Sequence, residues 1–132
     1  MASQKIFISI VILVSIAVFS SCRDKVDCRL YHTGEFELID ESRDIIIMRD
    51  QEFQIETMRS TGSFTKFRIF WLNPCTYRLF FLEGTTNIHD AWDGHHMDVM
   101  ILEGTDGEYT YKSTFSKTGL SEVGKVKKIA SI

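Results

Sequence analysis

From Gly34 to Ile129 apolar residues recur at every second position in short runs, and most stretches between the runs are too short to hold more than a turn. Period-two alternation puts one set of side chains on each face of an extended chain, so each run reads as a strand with one buried face. GEFELI over 34–39 sets Phe36 and Leu38 against Glu35 and Glu37. Ile45-Ile46-Ile47-Met48 is rich in β-branched residues, and beyond the break at Arg49-Asp50-Gln51 the residues Phe53, Ile55 and Thr57 alternate with Gln54 and Glu56, which predicts a hairpin. Phe67, Ile69 and Trp71 alternate with Lys66, Arg68 and Phe70 until Asn73-Pro74, after which Cys75, Tyr77, Leu79 and Phe81 share one face. The stretch 84–94 is irregular, with room for one short helical turn. Met97, Val99 and Ile101 follow around Asp98, then a tight hairpin at Gly104-Thr105-Asp106-Gly107, then Tyr109, Tyr111 and Phe115, and a last strand over 123–129. Parallel strands need long crossovers, and these connections are mostly turns. The expected fold is therefore all-β: an antiparallel meander of seven to eight strands, partly or fully closed into a lipocalin-like barrel that limits exposed edges. A two-sheet sandwich would carry the same alternation.

The N-terminus follows a different rule. Lys5 precedes an unbroken apolar run from Ile6 to Phe19, which ends in Ser20-Ser21-Cys22. A positive start, a short apolar stretch and small residues at its end fit a signal peptide helix, and the run falls short of the roughly 20 apolar residues that span a bilayer. Cysteine directly after the small pair resembles a bacterial lipobox, although Phe19 and Ser21 stand where Leu and Ala or Gly are usual. The expected organisation is a lipoprotein signal peptide at 1–21, a lipid-bearing Cys22 opening a short charged tether at 22–27, and one β domain at 28–132. Ordinary secretion with a spare Cys22 thiol is the alternative.

Removing the 21 signal residues from 132 leaves 111, enough for one modest core. Lys5 is the only charge lost, so the mature balance is 14 basic against 18 acidic side chains. No basic field for a phosphate backbone results, and the lone basic cluster Lys125, Lys127 and Lys128 reads as a solvated strand end. Of three cysteines, lipidation uses Cys22 and leaves Cys28 and Cys75 as a pair in an exported chain, where a disulfide is expected. Two buried free thiols are the alternative.

The combination Cys28-x-x-Tyr31-x-Thr33-Gly34-x-Phe36, Ile47-x-Arg49, Gln54-x-Glu56 and Trp71-x-x-x-Cys75-x-Tyr77 resembles a group of small lipoproteins of Gram-negative bacteria that join a lipobox to a short β-rich domain. The resemblance runs over roughly residues 28–115 and implies placement and fold, not an activity. Some similar chains carry a topoisomerase IV label. This sequence has neither the length, nor an ATP site, nor a DNA-sized basic surface for that chemistry.

Site chemistry has to come from the residues. His89, Asp93, His95 and His96 crowd into the irregular segment, and imidazole with carboxylate suits a divalent transition metal, but no known ligand spacing such as HExxH is present. Arg49, Gln54 and Glu56 form a second set, with Gln54 and Glu56 on one side of their strand. Turned inward they would orient a small ligand within an apolar pocket, and turned outward they would pair across the hairpin. Phe70 and Phe80 lie opposite the main apolar faces of their strands, which predicts an exposed patch, a dimer contact or a second buried layer. No nucleophile elbow is present, neither mature-domain cysteine has a catalytic setting, and no cofactor is implied. The sequence thus predicts a non-catalytic, lipid-anchored protein of the Gram-negative cell envelope, attached to membrane through its N-terminal lipid and acting on an envelope protein partner. It predicts no nucleic-acid binding and leaves the oligomeric state and the choice of membrane open. A lipocalin-like carrier of a small apolar ligand and a metal-binding protein acting through His89 to Asp98 are the alternatives.

Overall fold

The alternating runs pair in chain order. In the computed structural model, which describes residues 26–132, eight antiparallel strands follow one another around a closed barrel. They are β1 (Gly34–Leu38), β2 (Ile45–Arg49), β3 (Phe53–Met58), β4 (Phe64–Asn73), β5 (Thr76–Gly84), β6 (Met97–Thr105), β7 (Glu108–Phe115) and β8 (Ser121–Ala130). Closure comes from β8 returning to β1, with Phe36 opposite Lys128 and Leu38 opposite Val126. The sandwich alternative is thereby excluded. The signal segment, Cys22 and the tether up to residue 25 lie outside the described residues, among which no helix is long and apolar enough to cross a membrane.

Two short helical pieces complete the fold. A 3-10 turn, Cys28–Tyr31, precedes β1, and the Asp27 side chain caps it by accepting from the Arg29 N–H. A four-residue helix, α1 (His89–Trp92), lies in the long β5–β6 connection. The β6–β7 hairpin turns on Asp106 and Gly107, both at positive φ (54° and 79°), the geometry whose twist matches antiparallel strands. Gly104 and Thr105, read as part of that turn, belong to β6.

Inward-facing residues build a continuous interior. Phe36, Leu38, Ile47, Ile101, Tyr109 and Val126 pack with Cys28 and Tyr31 toward one end, while Phe67, Ile69, Tyr77, Leu79 and Val99 pack toward the other. Trp71 and Tyr111 touch both groups. Tyr111 reaches across to β8, where its hydroxyl occupies the space that a Cβ on Gly124 would fill. In β8 only Val126 is a buried apolar residue, whereas Val123 and Ile129 face outward.

β3 departs from the expected polarity. Its register sets Gln54 opposite both Arg49 and Phe67, and Glu56 opposite Ile47. That places Gln54 and Glu56 on the interior face and turns Phe53 outward. Phe53 is roofed by cations: Lys66 Nζ lies 4.4 Å and Arg68 Cζ 5.1 Å from its ring centre. The aliphatic stems of these cations cover apolar surface while their charged heads stay wet, so an outward phenylalanine is tolerated.

Candidate functional site

The Arg49 side chain is fully buried. Its Nε donates to Gln54 Oε1 (2.9 Å), Nη1 to the Tyr31 carbonyl (2.6 Å), and Nη2 to the hydroxyls of Tyr77 (2.9 Å) and Tyr109 (3.0 Å). The guanidinium carbon also sits 4.6 Å from the Phe36 ring centre and 4.7 Å from that of Tyr77. The last residue of β2, the first turn of the domain, β3, β5 and β7 therefore meet at one cation. Four of the five guanidinium N–H groups are engaged.

None of these partners is a carboxylate. The compensating anion stands one residue further, where Gln54 Nε2 donates to Glu56 Oε1 at 3.0 Å, so Gln54 relays between the two charges. Burial opposes the Arg49 charge, but the Tyr109 and Tyr77 hydroxyls and the Glu56 carboxylate outweigh it, and its pKa rises. Burial also dominates at Glu56 and lifts its pKa above the ordinary value, against the Gln54 hydrogen bond and the fields of Arg49 and Arg43. The Tyr77 phenol is likewise pushed up by burial, with Arg49 opposing. Tyr111, half-enclosed nearer the other end, is raised to about 12, first by desolvation and then by Glu122 and Glu56.

This end of the barrel is also tied shut covalently. Cys28 and Cys75 form a disulfide with a Cα–Cα distance of 5.1 Å, as expected from cysteine number. The bridge pins the 3-10 turn to the β4–β5 turn. Beside it His32 stacks on Trp71 (3.6 Å between ring centres) and its Nε2 donates to the Pro74 carbonyl at 2.8 Å.

Arg49, Gln54 and Glu56 are thus brought together, Arg49 and Gln54 in the packed interior and Glu56 half-buried beside a recess of about 110 Å³. Tyr31, Tyr77 and Tyr109 complete the set and were missed. Only the alternation of Tyr77 and Tyr109 with polar neighbours pointed inward, and nothing local linked them to Arg49.

His89, Asp93 and His95 line one recess beside α1, and His96 lies outside it. His89 Nδ1 lies 3.9 Å from Asp90, His95 Nδ1 lies 3.4 Å from Ser116 Oγ, and His96 Nε2 lies 3.8 Å from Asp98. Among the described residues no three His, Cys, Asp or Glu side chains converge as a metal would require.

The outer wall supplies the second feature. Phe70, Leu72, Leu82, Met100 and Leu102 are 42–50% exposed on β4, β5 and β6, and Phe70 meets half-buried Phe80 edge-on at 5.7 Å. Among them Arg78 of β5 grips Asp98 of β6 through two hydrogen bonds, Nε to Oδ1 at 2.7 Å and Nη2 to Oδ2 at 3.0 Å. These bonds lower the Asp98 pKa and raise that of Arg78. The β5–β6 ladder they span is short, running only from Thr76–Met100 to Leu79–Met97. At one end of this seam α1 and its flanks leave a recess of about 240 Å³ beside Phe80, Phe81 and Trp92. Past the other end β6 and β7 continue without β5, and a side groove of about 740 Å³ opens against Cys75, Ile101, Glu103 and Tyr109.

Fold and site together define an eight-stranded antiparallel meander barrel whose core is a buried arginine held by tyrosines and an amide. No family model, no curated protein and no solved structure matches the chain.

Proposed function

We propose that this chain is a lipid-anchored protein of the Gram-negative cell envelope whose barrel binds a protein partner on its outer wall, without catalysis. One observation carries the reading: the lumen is filled by Arg49, Phe36, Tyr77, Leu79 and Tyr109, whereas large apolar side chains lie exposed over β4–β6. Exposed apolar residues clustered around an ion pair are the composition of an interaction surface more than of a solvated wall. The sequence features at 1–22 support the anchor, with Cys22 as the acylated residue. The alternative, a lipocalin-like carrier of a small apolar ligand, draws support from the closed barrel and from the side groove, whose volume falls in the range of small-molecule sites.

Two experiments test the proposal. Globomycin is expected to accumulate an unprocessed precursor, and Cys22→Ala to release the protein from the membrane. Normal processing and membrane retention of that variant would remove the anchor. A photo-crosslinking amino acid at Phe70 or Met100 is expected to trap one discrete protein band in intact cells, whereas the same probe at Glu52 traps none. Equal patterns from all three positions would remove the partner surface.

A further inference from the structure

The unpaired extension of β6 is a second, more specific feature than the apolar wall. β5 stops pairing at Thr76–Met100, and the final bond on that side runs from the Ile101 N–H to the Cys75 carbonyl at 2.8 Å. Among the described residues, 102–105 continue as strand with β7 on one side only. A bulge between Ile101 and Glu103 bends the strand there, and the side groove of about 740 Å³ lies along it. A closed barrel is the usual means of removing strand edges, yet among the described residues this one leaves a short edge unpaired beside a recess, where Val26 packs against Gly104. Free backbone donors and acceptors on such an edge are a template for an added strand, with alternate side chains going to a pocket and to the outside.

The charges select the occupant. Glu103 and Asp106 are exposed and form no ion pair among the described residues, while Glu108 is 3.7 Å from Lys125, which also lines the groove. A second copy of this chain paired edge to edge about a two-fold between residues 104 and 105 would set Glu103 against the Asp106 of the other copy, which disfavours self-association. Leu102, 46% exposed at the bulge, offers an apolar contact on the outer side, and Ile101 and Tyr109 offer one within the groove.

We propose that residues 102–105 of β6 accept an extended segment of a partner protein by β-strand addition, and that this segment alternates apolar with basic side chains. The inference rests on the partner-binding reading above and narrows it to one edge and one class of sequence. The apolar residues of the segment enter the groove, and its lysines or arginines lie along Glu103 and Asp106.

The test uses the full mature protein in detergent micelles and a synthetic peptide of about ten residues alternating valine and lysine, at up to about 1 mM. Amide exchange over residues 101–106 is expected to slow at least tenfold on adding the peptide. The same peptide with N-methylated valine amides is expected to give no slowing. Glu103→Lys is expected to weaken binding at least fivefold with an unchanged thermal midpoint, and a valine–glutamate peptide to bind no better than that variant does. Four results overturn the proposal: no slowing at 1 mM; slowing confined to Phe70, Phe80 and their neighbours; undiminished binding of the N-methylated peptide; or amides already protected without peptide, which would mean that the edge is covered by the chain itself. Crosslinking from Phe70 in cells does not depend on this edge, so it separates failure of the strand-addition proposal from failure of the partner reading.

Discussion

Two arginines of this barrel hold strands together by opposite means. Arg49 is wholly buried, meets no carboxylate directly, and spends its donors on an amide, a carbonyl and two phenols contributed by widely separated parts of the chain. Arg78 lies on the outside, with a side chain 33% exposed, and makes the two-pronged carboxylate contact that guanidinium geometry favours. The first is costly to desolvate and very costly to disturb, because each partner would be left buried without its bond. The second is cheap to form and cheap to lose, since water replaces it. The interior of this barrel is committed to holding its shape. Adaptable surface lies on the wall where Arg78 and Asp98 close a short seam.

The largest effect should follow removal of the inner cation. Arg49→Ala is expected to destabilise by about 3–5 kcal/mol, the usual consequence of breaking a buried charged network, read as a fall in the urea midpoint. A midpoint close to the parent's would mean that the tyrosines and Gln54 find other partners, and the contrast between the two arginines would collapse. Next comes the covalent tie at the same end. Cys28→Ser with Cys75→Ser opens a loop whose ends are 47 residues apart, and the loss expected from chain entropy is about 3–4 kcal/mol. In the parent protein two thiols should become titratable only after reduction and unfolding.

Acid should separate the two regions by sign. Glu56 has a raised folded-state pKa, so the native state holds its proton more tightly than the unfolded chain does, and this group's contribution improves as pH falls through that raised value. Asp98 has a lowered pKa, so its contribution is complete above the ordinary carboxylate value and is lost as pH falls through the depressed one. Glu56→Gln removes the first effect, and its stability relative to the parent should rise as pH climbs above the ordinary glutamate pKa of about 4. A pH-independent difference would contradict burial as the dominant influence on Glu56. The smallest global effect belongs to the outer pair: Arg78→Ala should leave the midpoint nearly unchanged while amide exchange quickens along β5 and β6. A large fall in the midpoint would make the seam part of the core after all.

How far these regions could be read in advance differs for physical reasons. The strands declared themselves wherever one face is apolar, as in β1 with Phe36 and Leu38 or β4 with Phe67 and Ile69. β3 left two readings open, because alternation gives two faces without saying which is inside. Arg49 decides between them by requiring Gln54, and through it Glu56, on the inner face. Cys28, Tyr31, Phe36, Arg49, Gln54, Glu56, Cys75 and Tyr77 build the Arg49 end together, although they are scattered along the sequence. His89, Asp93, His95 and His96 show the converse: they are close in sequence, and three of them share a recess, but their side chains do not converge as metal ligands would. The 3-10 turn at Cys28–Tyr31 was too short for periodicity to reveal, and the one local sign of it was Asp27 at the capping position.

The lumen is occupied by the protein's own side chains, and the proposed function puts binding outside it. Native mass spectrometry of the purified protein tests this most directly. The expected mass is that of the covalent chain, less two hydrogens for the Cys28–Cys75 bridge, with no small molecule released on activation. A stoichiometric apolar compound leaving the folded barrel would contradict the claim and make the carrier reading the correct one.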